Sequence, residues 1–331
     1  MIKYFLFFFI AIIILSCDNN RPNLKQDLSN IQKQEVDFRR YDKALFAINK
    51  DSFINKVVDY KNQFPLFLDE NTDDTLALLN LKSFFIDPYM IELNEMVQAK
   101  YPDLKNIEDE LSKAIHYYHF YFDIPTKFNY YTYISGLDIK SPIKVIDSNI
   151  VVGMDLYLGA NSKVYDMSGF PKYKSRWLIK EEIVPNIMSE LASGMMPERD
   201  KSAQLISQMI YEGKRLFFIQ ATMPNIADSL LLKYSKLQLD WCYTNEARLW
   251  SLMVENQFLF DTDIAIQKKF MNDAPFTSLL STEAPSRIGH FLGWRIVSNY
   301  MAKTKSKLPK LLTEQNAQMI LKKSKYKPKR D

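Results

Sequence analysis

Along most of the chain apolar residues recur at three- and four-residue intervals, the spacing that gathers them on one face of an α-helix. The period starts at Val36 and runs through Phe38, Tyr41, Leu45 and Ile48, which predicts a helix there. Amphipathic stretches follow at 52–64, 74–85 and 88–100, with Pro65, Pro88 and Pro102 as breaks or first turns. The stretch 106–122 repeats the period through Ile107, Leu111, Ile115, Tyr118 and Phe122. The pattern then changes. KFNYYTYISGL (127–137) is aromatic and β-branched, and the runs 143–146 and 149–154 flank Asp147-Ser148, a predicted hairpin turn. GMDLYLG (153–159) reads as the close of the sheet. Past Pro171 helical patterning returns at 176–193, 203–223, 226–237, 241–258, 262–271, 286–303 and 308–323. The expected architecture is α+β and mostly helical, with a small central antiparallel sheet. It occupies one domain, 36–323, followed by a frayed basic tail at 324–331.

The first residues follow a different rule. Met1-Ile2-Lys3 carries a positive charge, and 4–15 (YFLFFFIAIIIL) is an unbroken apolar run. A bilayer-spanning helix needs about 20 apolar residues, so this shorter run fits the core of a signal peptide, 1–16. It ends in Ile14-Leu15-Ser16-Cys17, a lipobox pattern that makes the Cys17 thiol the expected site of acylation. Residues 17–35 are mainly polar and read as a tether. The expected location is therefore the cell envelope, with the domain in the periplasm and the membrane as a partner through the N-terminal lipid.

Composition narrows the function classes. The 331 residues are 47% apolar and 25% charged, as in a folded domain, and only 8 are glycine, which favours helices. A net charge of +4, dispersed along the chain, is too small to argue for nucleic acid, and none is expected as a partner. With Cys17 acylated, Cys242 has no thiol to pair with; its setting in DWCYTNEARLW reads as buried and inert. The 22 Phe and 19 Tyr read first as core, and alternatively as a glycan-binding surface.

Candidate chemistry is sparse. His116 and His119, three apart in AIHYYHFYF, read as packed, hydrogen-bonded histidines. The alternative joins them to Glu212 as the ligand set of a metal-dependent peptidase. No phosphate loop, nucleophile elbow or paired-cysteine motif occurs, so no cofactor is expected. Glu181 and Glu182 suit the first turn of a helix, where acids meet the positive end of its dipole.

Two helical segments share an order familiar from zinc proteases. There, two histidines one turn apart bind the metal, the glutamate between them activates water, and a glutamate on the next helix completes the ligands. Here LIKEEIVPNIMSELASG (178–194) is followed by MIYEGKRLFF (209–218), with Glu212 where the third ligand would stand. In the first segment Pro185 and Ser189 fall at the histidine positions and Asn186 at that of the general base. None of the three does that chemistry.

The stretches GMDLYLGAN, MIYEGKRLFFIQATMP and APSRIGHFLGWRIVSNYM, the start VDFRRYDKALF and the lipobox together resemble the gliding-motility lipoprotein family GldB. That family is in turn similar to predicted zinc proteases whose two motif helices occupy these positions. The resemblance implies a degenerate zincin-like core, no catalysis, and an envelope lipoprotein required for gliding and linked to type IX secretion. Its partners would be other gliding or secretion proteins. A groove left beside the sheet could accept an added strand, with Glu212, Arg287, His290 and Trp294 as its candidate residues. The plainer expectation is that Arg287 pairs with Glu212 to neutralise a buried charge.

Overall fold

The computed structural model describes residues 24–69, 74–123, 126–200, 202–277 and 279–328; Cys17 and the signal segment lie outside the described residues. Four strands make one sheet: β1 (Phe38–Arg40), β2 (Asn129–Tyr133), β3 (Ile143–Ile146) and β4 (Asn149–Gly153), in the order β1-β2-β4-β3. The predicted hairpin is present, with Ile146 opposite Asn149 and Asp147 in the left-handed region at φ 53°. The sheet is nevertheless mixed rather than antiparallel, because β1 and β4 both run parallel to β2. β1 was hidden in a helical period. Phe38 and Tyr41 are both buried, but Phe38 pairs with Tyr130 on a strand while Tyr41 opens the next helix.

Both faces of the sheet are covered, which explains why NYYTY and NIVVG lack the alternation of a half-exposed strand. Phe38, Tyr130, Ile150 and Val152 face the large helical core. Tyr131 and Val151 face a smaller, ring-rich cluster with Tyr41, Phe53, Phe64 and Phe85. Most of the aromatic content sits in these two clusters, so the rings serve chiefly as core.

The centre of the helical core is Leu205–Thr222, the Glu212 helix, in which 15 of 18 residues are buried. It packs against Ile183–Met195, the Pro185 helix, and Ile288–Thr304, the Gly293 helix. The contact with the latter has no room for side chains. A Cβ on Gly293 would stand 1.9 Å from the Met209 carbonyl oxygen, and one on Gly213 2.3 Å from the Gly293 carbonyl oxygen. Two helix backbones meet there because both positions are glycine.

Several predicted boundaries move. The Pro185 helix begins at Ile183 rather than near 176, so Pro185 falls in its first turn, where a missing N–H breaks no helical bond. The predicted helix at 226–237 stops at Leu232, because Lys233 turns left-handed at φ 54° and Ser235 caps a new helix, Lys236–Thr244. Neither end is as loose as expected. Ser324 and Tyr326 are buried, and the Tyr326 hydroxyl donates to Glu246 at 2.6 Å, so the basic tail is anchored at least that far. The tether is docked from Leu24 onward against Lys105–Phe122, the His116 helix. The Gln34 amide there donates to the Phe128 carbonyl at 3.0 Å. Among the described residues no helix is long and apolar enough to cross a membrane.

Candidate functional site

The Pro185, Glu212 and Gly293 helices bring most of the expected residues to one place. Pro185, Asn186, Ser189, Arg287 and His290 line a single cavity with Glu182, Arg215 and Lys233. Its volume is about 70 Å³. A water molecule takes about 30 Å³ of liquid volume, and ligand pockets run to about 300–1,000 Å³, so this space suits a few waters and is well below the size of a ligand pocket. A roomier space of about 680 Å³ lies elsewhere, between the docked tether and the end of the His116 helix, and shares none of these residues.

A cation stands between the two positions that the protease comparison marks as ligands. Arg215 donates from Nη1 to Ser189 Oγ at 2.5 Å, and from Nε and Nη2 to Glu212 Oε2 at 2.9 and 2.5 Å. Arg199 pairs with the other carboxylate oxygen at 3.0 Å. His290 donates through Nε2 to the Met271 carbonyl at 3.0 Å, leaving Nδ1 3.8 Å from Glu212. Burial alone would raise the Glu212 carboxyl, but Arg215, His290 and Arg199 together hold it down at about 2. Burial drives His290 the other way, down to about 4, so the pair is an ionised carboxylate beside a neutral imidazole at neutral pH.

The four consecutive residues of the motif each have a packing or pairing duty. Glu212 carries the buried charge, and Gly213 permits the backbone contact with Gly293. Lys214 donates to the carbonyls of Leu312 and Glu314, both at 2.9 Å, and so caps the helix Leu308–Thr313. Arg215 neutralises Glu212 from one helical turn away. Burial lowers the Lys214 ammonium to about 8, the cost of that internal cap.

Around this centre the remaining charges pair in ways that differ from expectation. Arg287 does not pair with Glu212. It meets Asp273 at 2.8 Å and donates to the Leu232 carbonyl at 2.9 Å, from a left-handed position (φ 57°) just before the Gly293 helix. Glu182 is fully buried and raised by burial, with Lys233 at 3.1 Å; the same ammonium donates to Asn186, whose amide donates to the Tyr157 hydroxyl. Trp294 faces away from the cavity. It is 1% exposed, and its indole donates to Gln220 at 3.1 Å, so it belongs to the core and not to a groove.

The alternative metal set is not assembled. His116 Nε2 lies 2.8 Å from the Ile31 carbonyl and His119 Nε2 3.1 Å from that of Thr126, so both imidazoles hold backbone. Among the described residues no three His, Cys, Asp or Glu side chains form a group able to hold a metal ion. Cys242 is fully buried, and burial pushes its thiol up to about 12, which suppresses the reactive thiolate.

No curated protein and no solved structure matches the chain significantly. One family does. Residues 21–328, which include the Glu212 helix, its glycine contact and the docked tether, match the gliding motility protein GldB family, and the chain belongs to that family.

Proposed function

We propose that this protein is a lipid-anchored component of the cell envelope that serves gliding by contacting other proteins rather than by catalysis. Its involvement in gliding motility follows from the family. Acylation of Cys17, support of the type IX secretion machinery and a non-catalytic role are the parts proposed. The observation that carries the last is the guanidinium of Arg215 bridging Ser189 and Glu212. A carboxylate held near 2 is a weak base at neutral pH, and the Ser189 hydroxyl accepts from the Arg215 cation. The cavity these groups line, about 70 Å³, is also smaller than a ligand pocket of about 300–1,000 Å³.

Gliding by cells that carry Ser189→Ala or His290→Asn tests this reading. Each variant removes a group that a hydrolytic reaction would use, so gliding should persist wherever the protein reaches the membrane fraction with a normal melting temperature. Lost gliding with normal folding and localisation would overturn it in favour of an enzyme. Cys17→Ala tests the anchor separately, and should release the domain from the membrane fraction and impair gliding.

A further inference from the structure

The docked tether is a strap with a direction. The Tyr121 hydroxyl donates to the Leu24 carbonyl at 3.4 Å, His116 meets the Ile31 carbonyl, and Ser112 Oγ donates to the Gln34 carbonyl at 2.7 Å. The Phe38 N–H then donates to Glu108 Oε1 at 3.0 Å. As numbering rises along the strap it falls along the helix, so the two run antiparallel. The segment after the helix returns the same way, with the Thr126 carbonyl at His119, the Phe128 carbonyl at Gln34, and Tyr130 paired with Phe38. Leu24 therefore stands at the C-terminal end of the His116 helix. The sheet lies further along, and beyond its strand ends come Asp155 and the helix Lys163–Met167, tied together through the Tyr165 hydroxyl.

Six residues, 18–23, separate Cys17 from Leu24. Fully extended, that leash spans at most about 25 Å, close to the roughly 27 Å length of the helix itself. A lipid on Cys17 would thus tether the domain by the end that carries Leu24, and the strap's bonds limit the free leash to those six residues. That end presents the partly exposed rings of Tyr117, Phe120 and Tyr121 and the exposed Lys127. Amphipathic rings and a long-stemmed cation suit the headgroup layer, where one part of each side chain is apolar and another wet.

We infer that the C-terminal end of the His116 helix, with Tyr117, Phe120, Tyr121 and Lys127, is the surface this domain turns toward the membrane, and that its partner there is the phospholipid headgroup layer. The inference rests on the proposed acylation of Cys17. The test uses the full-length acylated protein in vesicles of phosphatidylethanolamine and phosphatidylglycerol, labelled with a nitroxide at Phe120→Cys, Lys127→Cys or Met167→Cys. Cys242 is buried and stays unlabelled. Relaxation by a nickel-chelating lipid should be at least several-fold stronger at 120 and 127 than at 167, whose native methionine is 82% exposed. Equal or reversed relaxation in vesicle-bound, acylated protein would overturn the surface while leaving the anchor intact. Protein that carries no acyl group and does not float with vesicles would instead overturn the anchor, and the inference with it. Ser112→Ala combined with His116→Ala should reduce the contrast between labels without loss of flotation; an undiminished contrast would show that the strap does not orient the domain.

Discussion

The Glu212 site and the strap are both polar constructions on long helices, yet they distribute their interactions in opposite ways. At the site, a buried carboxylate, two guanidinia and a neutral imidazole converge on one point, and removing one group leaves another charged and buried. On the strap, Glu108, Ser112 and His116 occur every fourth residue along one helix face and take successive backbone groups in turn. Each of those bonds stands alone, and losing one leaves its neighbours in place. The contrast predicts that one side chain can unmake the site, whereas the strap yields only step by step.

The largest effect should come from Arg215→Ala. It strands Glu212, 8% exposed at its side chain, with Arg199 at the rim and an uncharged His290, and breaking a buried pair in this manner costs about 3–5 kcal/mol. Denaturant unfolding at pH 7 would read this as a lower midpoint at unchanged slope. A loss no greater than that of a strap variant would erase the distinction between the two regions. Next comes Gly293→Ala, whose new methyl group would overlap the Met209 backbone. Overpacking of that kind costs about 1–3 kcal/mol, and two helix backbones yield less readily than a flexible side chain. An unchanged melting temperature for Gly293→Ala would show that the close approach does not hold the site together.

How much of this was legible in the sequence depends on how local each interaction is. The helices and the hairpin turn at Asp147 follow from spacing alone, because period and turn chemistry are local properties. The fold brings Ser189, Asn186, Glu212 and His290 together, and the order of the two motif helices and a third segment is the part of that arrangement legible in the sequence. Arg215 is equally legible as a partner of Glu212, three residues on and so on the same helix face. Glu182 with Lys233, and Arg287 with Asp273, join elements that only tertiary packing brings together. β1 was lost because three residues of parallel strand cannot show a period, and the strap because its holding groups lie on the helix rather than in its own polar residues.

Acid should act on the site through His290. His290 is held near 4 in the fold against an ordinary value of 6.5, so the unfolded chain binds its proton first as pH falls. Stability therefore declines as pH drops from about 6.5 toward 4, by roughly 1 kcal/mol between pH 7 and 5.5. Glu212 adds a second decline from 4.5 toward about 2, because its carboxylate is favoured only in the fold. Melting curves of the native protein and His290→Asn should separate the two windows: the variant should lose part of the slope above pH 4.5, where His119, also lowered by burial, still contributes, and keep the one below. A native protein with a flat profile between pH 7 and 5 would show that His290 is not held neutral.

The smallest effect belongs to the strap, and its location matters more than its size. Ser112→Ala removes one neutral hydrogen bond to the Gln34 carbonyl, worth about 0.5–1.5 kcal/mol. Because the flanking bonds at His116 and Glu108 remain, the loss should appear as local opening rather than global unfolding. Amide exchange would accelerate within 24–37 while the Glu212 helix keeps its protection and the unfolding midpoint shifts little. Acceleration spread evenly through both regions would mean that the strap and the charged site unfold as one unit, and the step-by-step behaviour argued for the strap would fail.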